Sequence, residues 1–185
     1  LYGRNETYKM TLGDGSTHPS PTYGCAFIAE RDGTQRPGTM EDYVKAVKLV
    51  HASDVYTIDG GILIQPSDME DRHAPLAMFY ATITHSDKII MLPTYDRCIM
   101  ESMVQAACAM IALINTNSPL SLDGKMLDNL MVLARYGQPV ILCPAAMLGA
   151  TGPIFMAGTV AMGTAESLAG IALAQMIRPG TPCVF

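Results

Sequence analysis

The architecture of this chain can be inferred from one segment, Gly137-Gln-Pro-Val-Ile-Leu-Cys-Pro-Ala-Ala-Met-Leu-Gly-Ala-Thr-Gly-Pro153. The apolar run at 140–143 predicts a short buried strand, and Pro144 ends it because proline cannot donate to the hydrogen-bond ladder of a sheet. A loop of small residues follows and leads into a helix predicted at 153–177. Ligands of α/β proteins bind at loops beyond the carboxyl ends of strands, so this segment predicts where a site lies.

Short apolar runs alternate with helical patterns along most of the remaining chain. Further strands are predicted at 55–58, 88–92, 111–114 and 182–185, and further helices at 39–52, 67–84, 97–110 and 124–136. The predicted strands are apolar on both sides, without in–out alternation, which is typical of a parallel sheet covered by helices. Their spacing is close to the ~30 residues of a βα unit.

These units predict an α/β fold that is part of a TIM (β/α)8 barrel. Four or five units follow one another without a reversal of strand order, which favours a barrel over a doubly wound sheet. A complete barrel needs roughly 250 residues, and the sequence has 185. We therefore predict an irregular N-terminal segment at 1–38, with a hairpin of strands 8–12 and 25–29, and incomplete TIM-barrel units at 39–185.

Local patterns at helix ends make three further predictions. Thr39 is a good N-cap for the first helix, and Ser67-Asp-Met-Glu70 has the pattern of a capping box for the second. The helix predicted at 97–110 runs into the next strand at Ile111 with no loop, although such connections usually take ~2–6 residues. Either that helix ends early or residues are absent from the sequence at this point.

The composition argues against several classes of protein and partner. The chain is 49% apolar and 16% charged, which is too apolar for a disordered protein. The net charge is −5 and the Lys and Arg residues are scattered, so we expect no nucleic-acid partner. We find no apolar run of membrane-span length and no secretory signal in the first residues, and we expect a cytoplasmic protein.

Cysteine and histidine spacing predicts neither a disulfide framework nor a metal site. The five cysteines are odd in number and lack C-x-x-C spacing, which indicates reduced thiols packed in the core: Cys25, Cys98, Cys108, Cys143 and Cys183. The four histidines lack a spacing such as H-x-x-x-H, so we expect no metal. No Ser-His-Asp or G-x-S-x-G pattern is present either.

Polar side chains that follow the predicted strands are candidate site residues. Asp59 either faces a cation or forms an ordinary Asp-Gly-Gly turn. Tyr95, beside a carboxylate, either forms one wall of a pocket for a cationic ligand or belongs to the start of the next helix. The four polar residues beyond the strand at 111–114 either orient a small ligand or form a turn that leads to the next helix; they are Asn115, Thr116, Asn117 and Ser118.

The loop and helix after the strand at 140–143 supply the remaining candidates. Gly149, Ala150 and Thr151, just beyond Met147, precede a helix. Their backbone amides either bind an anion, such as a carboxylate or a phosphate, or form a tight turn that needs small residues. Glu166 lies among Ala and Gly residues of that helix, and it is either a paired, hydrogen-bonded carboxylate or an outward-facing one.

Five stretches of the chain carry a family resemblance when they are taken in order. They are Gly33-Thr-Gln-Arg-Pro-Gly-Thr-Met-Glu-Asp42, Asn117-Ser-Pro-Leu120, Gly137-Gln-Pro-Val140, Pro144-Ala-Ala-Met-Leu-Gly-Ala-Thr-Gly-Pro153, and Ala165-Glu-Ser-Leu-Ala-Gly170 running to Pro179-Gly-Thr-Pro-Cys-Val184. Together they resemble the trimethylamine–corrinoid protein methyltransferase family. The Ala-Thr-Gly-Pro turn before a long helix is the most specific of them. The resemblance covers almost the whole chain but only the middle of the family's longer polypeptide.

The resemblance implies a TIM barrel that transfers a methyl group from a methylated amine to a Co(I) corrinoid. The amine is trimethylamine or a quaternary amine such as glycine betaine. The corrinoid (cobalamin) is carried by a separate small protein that docks over the barrel mouth, so this chain is expected to bind no cofactor itself. The residues expected to bind the substrate are Asp59, Tyr95, Asn115, Asn117, Met147, Gly149, Ala150, Thr151 and Glu166.

The resemblance leaves the catalytic residue unidentified. In archaeal trimethylamine enzymes a pyrrolysine does the chemistry, and we expect its position to fall beyond Phe185. A member without pyrrolysine suits a quaternary amine, because loss of a methyl group then gives a neutral tertiary amine and needs no proton. The chain has no Trp and few aromatic residues, so most of a cation-binding cage must come from other sequence.

Two alternatives to methyl transfer follow from the residues. One is another barrel enzyme that binds a small anionic metabolite at the 149–153 turn, and the other is an inactive fragment. We also expect a homo-oligomer, because open edges of a parallel sheet favour self-association.

Overall fold

A computed structural model describes residues 1–21, 23–107 and 109–185 and shows a mixed α/β protein with five helices and six strands in those ranges. The chain divides into two compact units. The first unit comprises Leu1–Pro93 and Gln105–Met110, and the second comprises Thr94–Val104 and Ile111–Phe185. The prediction of a core thiol at Cys108 lies outside the described residues.

An antiparallel hairpin of β1 (Phe27–Ala29) and β2 (Gln35–Pro37) lies in the N-terminal part of the first unit. The turn between them forms because Oδ1 of Asp32 accepts hydrogen bonds from the amide and the hydroxyl of Thr34, at 2.9 and 2.6 Å. Gly33 supplies the positive φ of 87° that this turn requires. A hairpin is therefore present, but the predicted pairing of 8–12 with 25–29 was wrong.

Helix α1 (Met40–Ala52) begins where the sequence predicts, with Thr39 as its N-cap. The Thr39 hydroxyl accepts from the amide of Asp42 at 3.3 Å, and the Asp42 carboxylate accepts from the amide of Thr39 at 3.0 Å. Arg36 also donates to Asp42, and its guanidinium together with the Thr39 bonds holds the pKa of that carboxyl far below its usual range. This end of α1 is thus fixed by charge and by hydrogen bonds.

Helix α2 (Ala74–His85) begins later than predicted, and the capping box at Ser67 was wrong. The Ser67 hydroxyl donates instead to the carbonyl of Gly38 at 2.8 Å, and His73 is an N-cap without a side-chain hydrogen bond. α1 and α2 pack together through a core of buried side chains that includes Tyr43, Val47 and Met78.

Parallel pairing in the first unit is limited. The strand predicted at 55–58 is a single parallel bridge between Ile58 and Ile89, next to the short strand β3 (Ile90–Leu92).

Helix α3 (Arg97–Ala106) ends four residues before the predicted end. The helix thus ends early, as one of the two explanations for the missing loop before Ile111 requires.

The second unit contains three parallel strands in chain order, separated by two helices. The elements are β4 (Met110–Thr116), α4 (Gly124–Arg135), β5 (Val140–Pro144), α5 (Met156–Ile177) and β6 (Cys183–Val184). β5 lies between β4 and β6 and is parallel to both, with Asn115 opposite Cys143 and Ile141 opposite Val184. α5 begins three residues later than predicted.

Both faces of β4 and β5 carry apolar residues, as the sequence pattern indicates, although burial alternates along the two strands. One face carries Ile114 and Leu142, which are buried under the helices. α5 approaches closely because Gly170 faces Leu142; a Cβ at position 170 would lie 2.7 Å from a Leu142 methyl carbon. The opposite face carries Leu113, Asn115, Ile141 and Cys143, which are partly or fully exposed.

Two sequence expectations about composition need correction. The four described cysteines are free, but each is half-buried or exposed rather than in the core. By length and composition α5 is apolar enough to cross a membrane, although no such run was expected. In the structure α5 contacts α4 and β5 and carries the buried carboxylate of Glu166.

Candidate functional site

Asn115 and Cys143 lie side by side at the carboxyl ends of β4 and β5, on the sheet face that the helices leave open. Asn115 is half-buried, and within the described chain its side chain has no hydrogen-bond partner. Cys143 is exposed. An unpaired amide beside a thiol at strand ends is a suitable place to orient a ligand. Asn115 was predicted as a site residue, and Cys143 was missed because it was assigned to the core.

Glu166 lies on the opposite, helix-covered side of the same strand ends. Its Oε2 accepts hydrogen bonds from the hydroxyls of Thr116 and Ser118 at 2.5 and 2.9 Å. Its Oε1 accepts from the amide of Leu120 at 2.7 Å. The carboxylate of α5 therefore fixes the end of β4 and the loop that follows it.

Glu166 is only 5% exposed, yet its carboxylate ionises readily. Desolvation raises its pKa, but the hydrogen bonds from Thr116, the Leu120 amide and Ser118 together outweigh it, so the pKa lies below the ordinary value of a glutamate. Leu120 has a φ of 50°, unusual for a residue with a side chain, and its bond to Glu166 holds it there.

A cavity of about 310 Å³ adjoins this carboxylate. It lies between the ends of β4 and β5, the loop at 120–122 and the helices α4 and α5. Apart from Glu166 its walls are mainly apolar, with leucines from the loop, both helices and β5. The sequence does not predict this cavity, because its walls come from five separate elements.

The loop at 147–152 is a compact turn whose amides donate within the loop. The carbonyl of Met147 accepts from the amides of Ala150, Thr151 and Gly152, at 3.1, 3.1 and 2.9 Å. The amide of Gly149 donates to the carbonyl of Gly152 at 3.1 Å. The Thr151 hydroxyl accepts from the Met147 amide at 2.9 Å. An anion bound here would have to replace these bonds, so the geometry favours the structural alternative for this loop.

The other predicted residues of the second unit occupy separate positions. Asn117 is exposed and its side-chain amide donates to Asp123 at 3.4 Å. Tyr95 is half-buried, and its backbone is held by Asn129 of α4, which accepts from the Tyr95 amide at 3.2 Å and donates to its carbonyl at 2.7 Å. The structure brings Asn115 and Glu166 to one end of the sheet, on opposite faces.

Asp59 belongs to the first unit, where it is 3% exposed beyond the Ile58 bridge. Its Oδ1 accepts from the amides of Met91 and Gly61, at 2.7 and 3.2 Å. Burial raises the pKa of Asp59 to about 7, against the opposing effect of these amide hydrogen bonds. Asp59 therefore joins two chain segments and changes charge near neutral pH.

Thr116 and Ser118 were among the candidate polar residues of the sequence, but Asn129, which holds the backbone of Tyr95, was missed. Asn129 offered a signal, since an asparagine on the apolar side of a helix must find a partner when it is buried. In the described ranges, no group of three or more His, Cys, Asp or Glu side chains is arranged to hold a metal ion.

All 185 residues match the family described as trimethylamine methyltransferase (MTTB). The chain belongs to this family. It is 37% identical over 198 aligned residues to a glycine betaine methyltransferase of Desulfitobacterium hafniense, covering 100% of this chain and 41% of that relative. It is 27% identical to a proline betaine:corrinoid methyltransferase of Eubacterium limosum, covering 97% of this chain and 43% of the relative.

A third relative matches over a shorter stretch. It is a trimethylamine methyltransferase of Methanosarcina acetivorans, 42% identical over 69 residues, which cover 37% of this chain and 14% of the relative. The chain spans about two fifths of the length of the two betaine relatives. The amines in these names are the substrates of the relatives themselves.

Proposed function

We propose that the whole protein to which this chain belongs transfers a methyl group from a methylated amine to the corrinoid of a partner protein. The observation that carries the proposal is the family match over residues 1–185. Support comes from the relatives named for glycine betaine, for proline betaine with a corrinoid, and for trimethylamine.

The scaffold for this activity is an incomplete TIM barrel from residue 39 onward, preceded by the segment 1–38. The sequential order of β4, β5 and β6, all parallel and separated by helices, supports this arrangement. In a closed barrel the open face of these strands becomes the interior. Asn115 and Cys143 would then line the mouth at the strand ends, where barrel enzymes bind their substrates.

The proposed reaction asks the chain to bind and orient a cation rather than to move a proton. In a quaternary ammonium the C–N bond breaks, the electron pair stays on nitrogen, and a neutral tertiary amine leaves. The corrinoid, when its carrier protein is docked, supplies the nucleophile that receives the methyl group. In this proposal Asn115 orients such a substrate from the open face, and the fixed negative charge of Glu166 lies behind the same strand end, on the helix-covered face.

The other predicted substrate-binding residues remain part of the proposal: Asp59, Tyr95, Asn117, Met147, Gly149, Ala150 and Thr151. Of these, Asp59 is a buried carboxylate at a strand end, and its Oδ1 accepts hydrogen bonds from the amides of Gly61 and Met91. An anionic metabolite at the 149–153 turn is the less favoured alternative, because the loop amides already donate to Met147 and Gly152. A homo-oligomer in the cytoplasm stays part of the proposal.

An activity assay with the full-length protein tests this function. The protein is incubated with its reduced corrinoid partner and, in separate reactions, with glycine betaine, proline betaine and trimethylamine. We expect demethylated amine and methylated corrinoid in equal amounts with at least one amine. Absence of transfer from every amine, with an active corrinoid partner confirmed by a second methyltransferase, would reject the proposal.

A further inference from the structure

The hairpin of β1 and β2 has two edges, and the sequence protects only one of them. The outer edge of β2 carries the charge of Arg36 and ends in Pro37, which has no amide hydrogen to offer a further strand. Charges and prolines on an edge strand prevent its pairing with other chains. β1 (Phe27–Ala29) has neither a charge nor a proline. The edge of β1 therefore lacks these barriers to a further strand.

The register of the hairpin identifies the backbone groups on this edge. Just before β1, the carbonyl of Ala26 accepts a hydrogen bond from the amide of Gly38 at 3.1 Å. Successive residues of an antiparallel pair point alternately toward and away from the partner strand, so the amides and carbonyls of Phe27 and Ala29 point away from β2. Within the described ranges these groups have no hydrogen-bond partner.

An apolar groove of about 620 Å³ runs along the edge of β1. All three residues of β1 line it, and no described residue of β2 does. Cys25, which precedes Phe27 on the same edge, accepts from the amide of Gln65 at 2.8 Å, so the chain already pairs one step of this edge. Other walls of the groove come from α1 and the segment after it, and they include Ala46, Leu49, Val50, Tyr56, Leu63 and Ile64.

A second copy of the chain fits this edge because β1 is complementary to itself in antiparallel orientation. When Ile28 lies opposite Ile28 of the other copy, Phe27 of each copy lies opposite Ala29 of the other, and each such pair exchanges both of its backbone hydrogen bonds. A large side chain thus meets a small one in both pairs. Glu30 falls opposite Ala26, so the strands bring no like charges together.

We propose that two copies of this chain associate through the open edges of β1, which joins their hairpins into one antiparallel sheet. The association covers apolar side chains that line the groove, among them Phe27 and Leu49, which are 64% and 74% exposed in the single chain. The inference rests on the proposed function only in the expectation of a homo-oligomer. It does not depend on the methyl-transfer activity.

A cysteine at the symmetry axis tests the register of this pairing. In Ile28→Cys the two introduced thiols belong to a non-hydrogen-bonded pair, whose Cα atoms lie about 4.5 Å apart, within the ~4.4–6.8 Å that a disulfide spans. We expect mild oxidation of the full-length protein to give at least about fivefold more disulfide-linked dimer than in Val55→Cys. Val55 is the control position, since it is 64% exposed in the same unit and does not line the groove. The wild type, with exposed Cys98 and Cys143, gives the background.

A proline on the edge tests the hydrogen bonds between the copies. Ala29→Pro removes an amide that points away from β2, so the hairpin keeps its own bonds. Sedimentation velocity of the full-length protein over a concentration series should give a dissociation constant at least about tenfold above that of the wild type. Ala29→Ser, which keeps the amide and a small side chain, is the matched control and should stay within about twofold of the wild type. Circular dichroism and thermal unfolding confirm that each variant is folded.

Three results would overturn the inference. They are a wild type that stays monomeric over the whole series, cross-linking of Ile28→Cys no greater than that of Val55→Cys, and an unchanged dissociation constant in folded Ala29→Pro. Hydrogen exchange at the β1 amides identifies the other occupant, a further segment of the same longer protein. Protection that persists on dilution to the monomer would assign the edge to that segment and overturn the inference as well.

Methyl transfer is assayed on the same preparations, so the two proposals fail separately. Absence of transfer in a wild type that cross-links through Ile28→Cys would reject the proposed function and leave the interface standing. Transfer by a wild type that remains monomeric would reject the interface and leave the proposed activity standing.

Discussion

Two buried carboxylates, Asp59 in the first unit and Glu166 in the second, respond to burial in opposite ways. Both lie near strand ends, both are at most 5% exposed, and both accept backbone amide hydrogen bonds from a loop. Burial raises the pKa of Asp59 to about 7. For Glu166 desolvation also raises the pKa, but the bonds from Thr116, the Leu120 amide and Ser118 outweigh it and bring it below its ordinary value.

The comparison shows that burial alone does not decide the charge of a carboxylate. Hydroxyl donors on Oε2 and an amide on Oε1 stabilise the ionised form of Glu166 at both oxygens. The amides of Gly61 and Met91 both donate to one oxygen of Asp59, Oδ1. Glu166 is therefore suited to hold a permanent charge, and Asp59 is suited to change its charge near neutral pH.

The largest effect is expected from Glu166→Leu. The substitution leaves two hydroxyls and the amide of Leu120 without their acceptor, and each unsatisfied buried donor costs about 1–3 kcal/mol. We expect the free energy of unfolding to fall by about 3–6 kcal/mol in urea denaturation. Glu41→Leu is the control, because Glu41 is exposed and pairs with Lys45 at the surface. An equal loss in both variants would contradict the role of Glu166.

A large pH-dependent effect is expected from Asp59→Asn. A carboxyl whose pKa rises from its unfolded value near 4 to about 7 binds an extra proton in the folded state between those pH values. The stability of the wild type should therefore fall as pH rises from about 4 to 7, by on the order of 3 kcal/mol relative to the variant. Above pH 7 the difference should stay constant.

Urea unfolding of both proteins at pH 5 and pH 8 measures this difference. The asparagine oxygen can still accept from the amides of Met91 and Gly61, so the fold should persist. Asp71→Asn serves as the control, since Asp71 is exposed. Parallel pH curves for the wild type and Asp59→Asn would show that Asp59 ionises in the folded state at an ordinary pH. The opposite sign holds for Glu166, whose contribution is lost as pH falls through its lowered pKa.

An intermediate effect is expected from Gly170→Ala, one turn along α5 from Glu166. The added carbon would lie 2.7 Å from a methyl carbon of Leu142, so the Leu142 side chain must shift from its packed position. Overpacking of this kind costs about 1–3 kcal/mol. Gly124→Ala is the matched control at the start of α4, where no atom lies within 4 Å of the new carbon. It should be neutral or stabilising in the same denaturation experiment, and similar losses in both variants would refute the close approach at Gly170.

Sequence patterns predicted the elements that are fixed by neighbouring residues. The bounds of α4 and β5 were close to correct, since Gly137 and Pro144 set them locally. Thr39 and Asp42 likewise form their cap within four residues. The failures came from distant partners: Ser67 bonds to Gly38 rather than to its own helix. The hairpin pairing also failed, because turn chemistry around Asp32 selects the nearer strand.

The distinction between neighbouring and distant partners also applies to the candidate site. A hydrogen-bonded, buried carboxylate at position 166 was one of the two alternatives in the sequence, and the structure shows it. Its donors lie 46 to 50 residues away, so no local pattern could identify them. The sequence also predicted free backbone amides in the 149–152 turn. In the structure the carbonyl of Met147 accepts hydrogen bonds from three of these amides, so they are not free to bind an anion.

The smallest effect is expected from Leu120→Gly, which tests whether Glu166 holds strain in the loop. Leu120 is 70% exposed and has a φ of 50°, a conformation that costs a residue with a Cβ about 1–2 kcal/mol and glycine almost nothing. Glycine also makes the unfolded chain more flexible, at a cost of about 0.5–1 kcal/mol, so the two effects partly cancel. We expect Leu120→Gly to be neutral or to stabilise the protein by up to about 1 kcal/mol. Ser121→Gly, at the next position and without positive φ, gains no relief and should destabilise the protein by about 0.5–1 kcal/mol. If Leu120→Gly proves as destabilising as Ser121→Gly, the loop is unstrained, and Glu166 supplies only hydrogen bonds and charge to this end of the sheet.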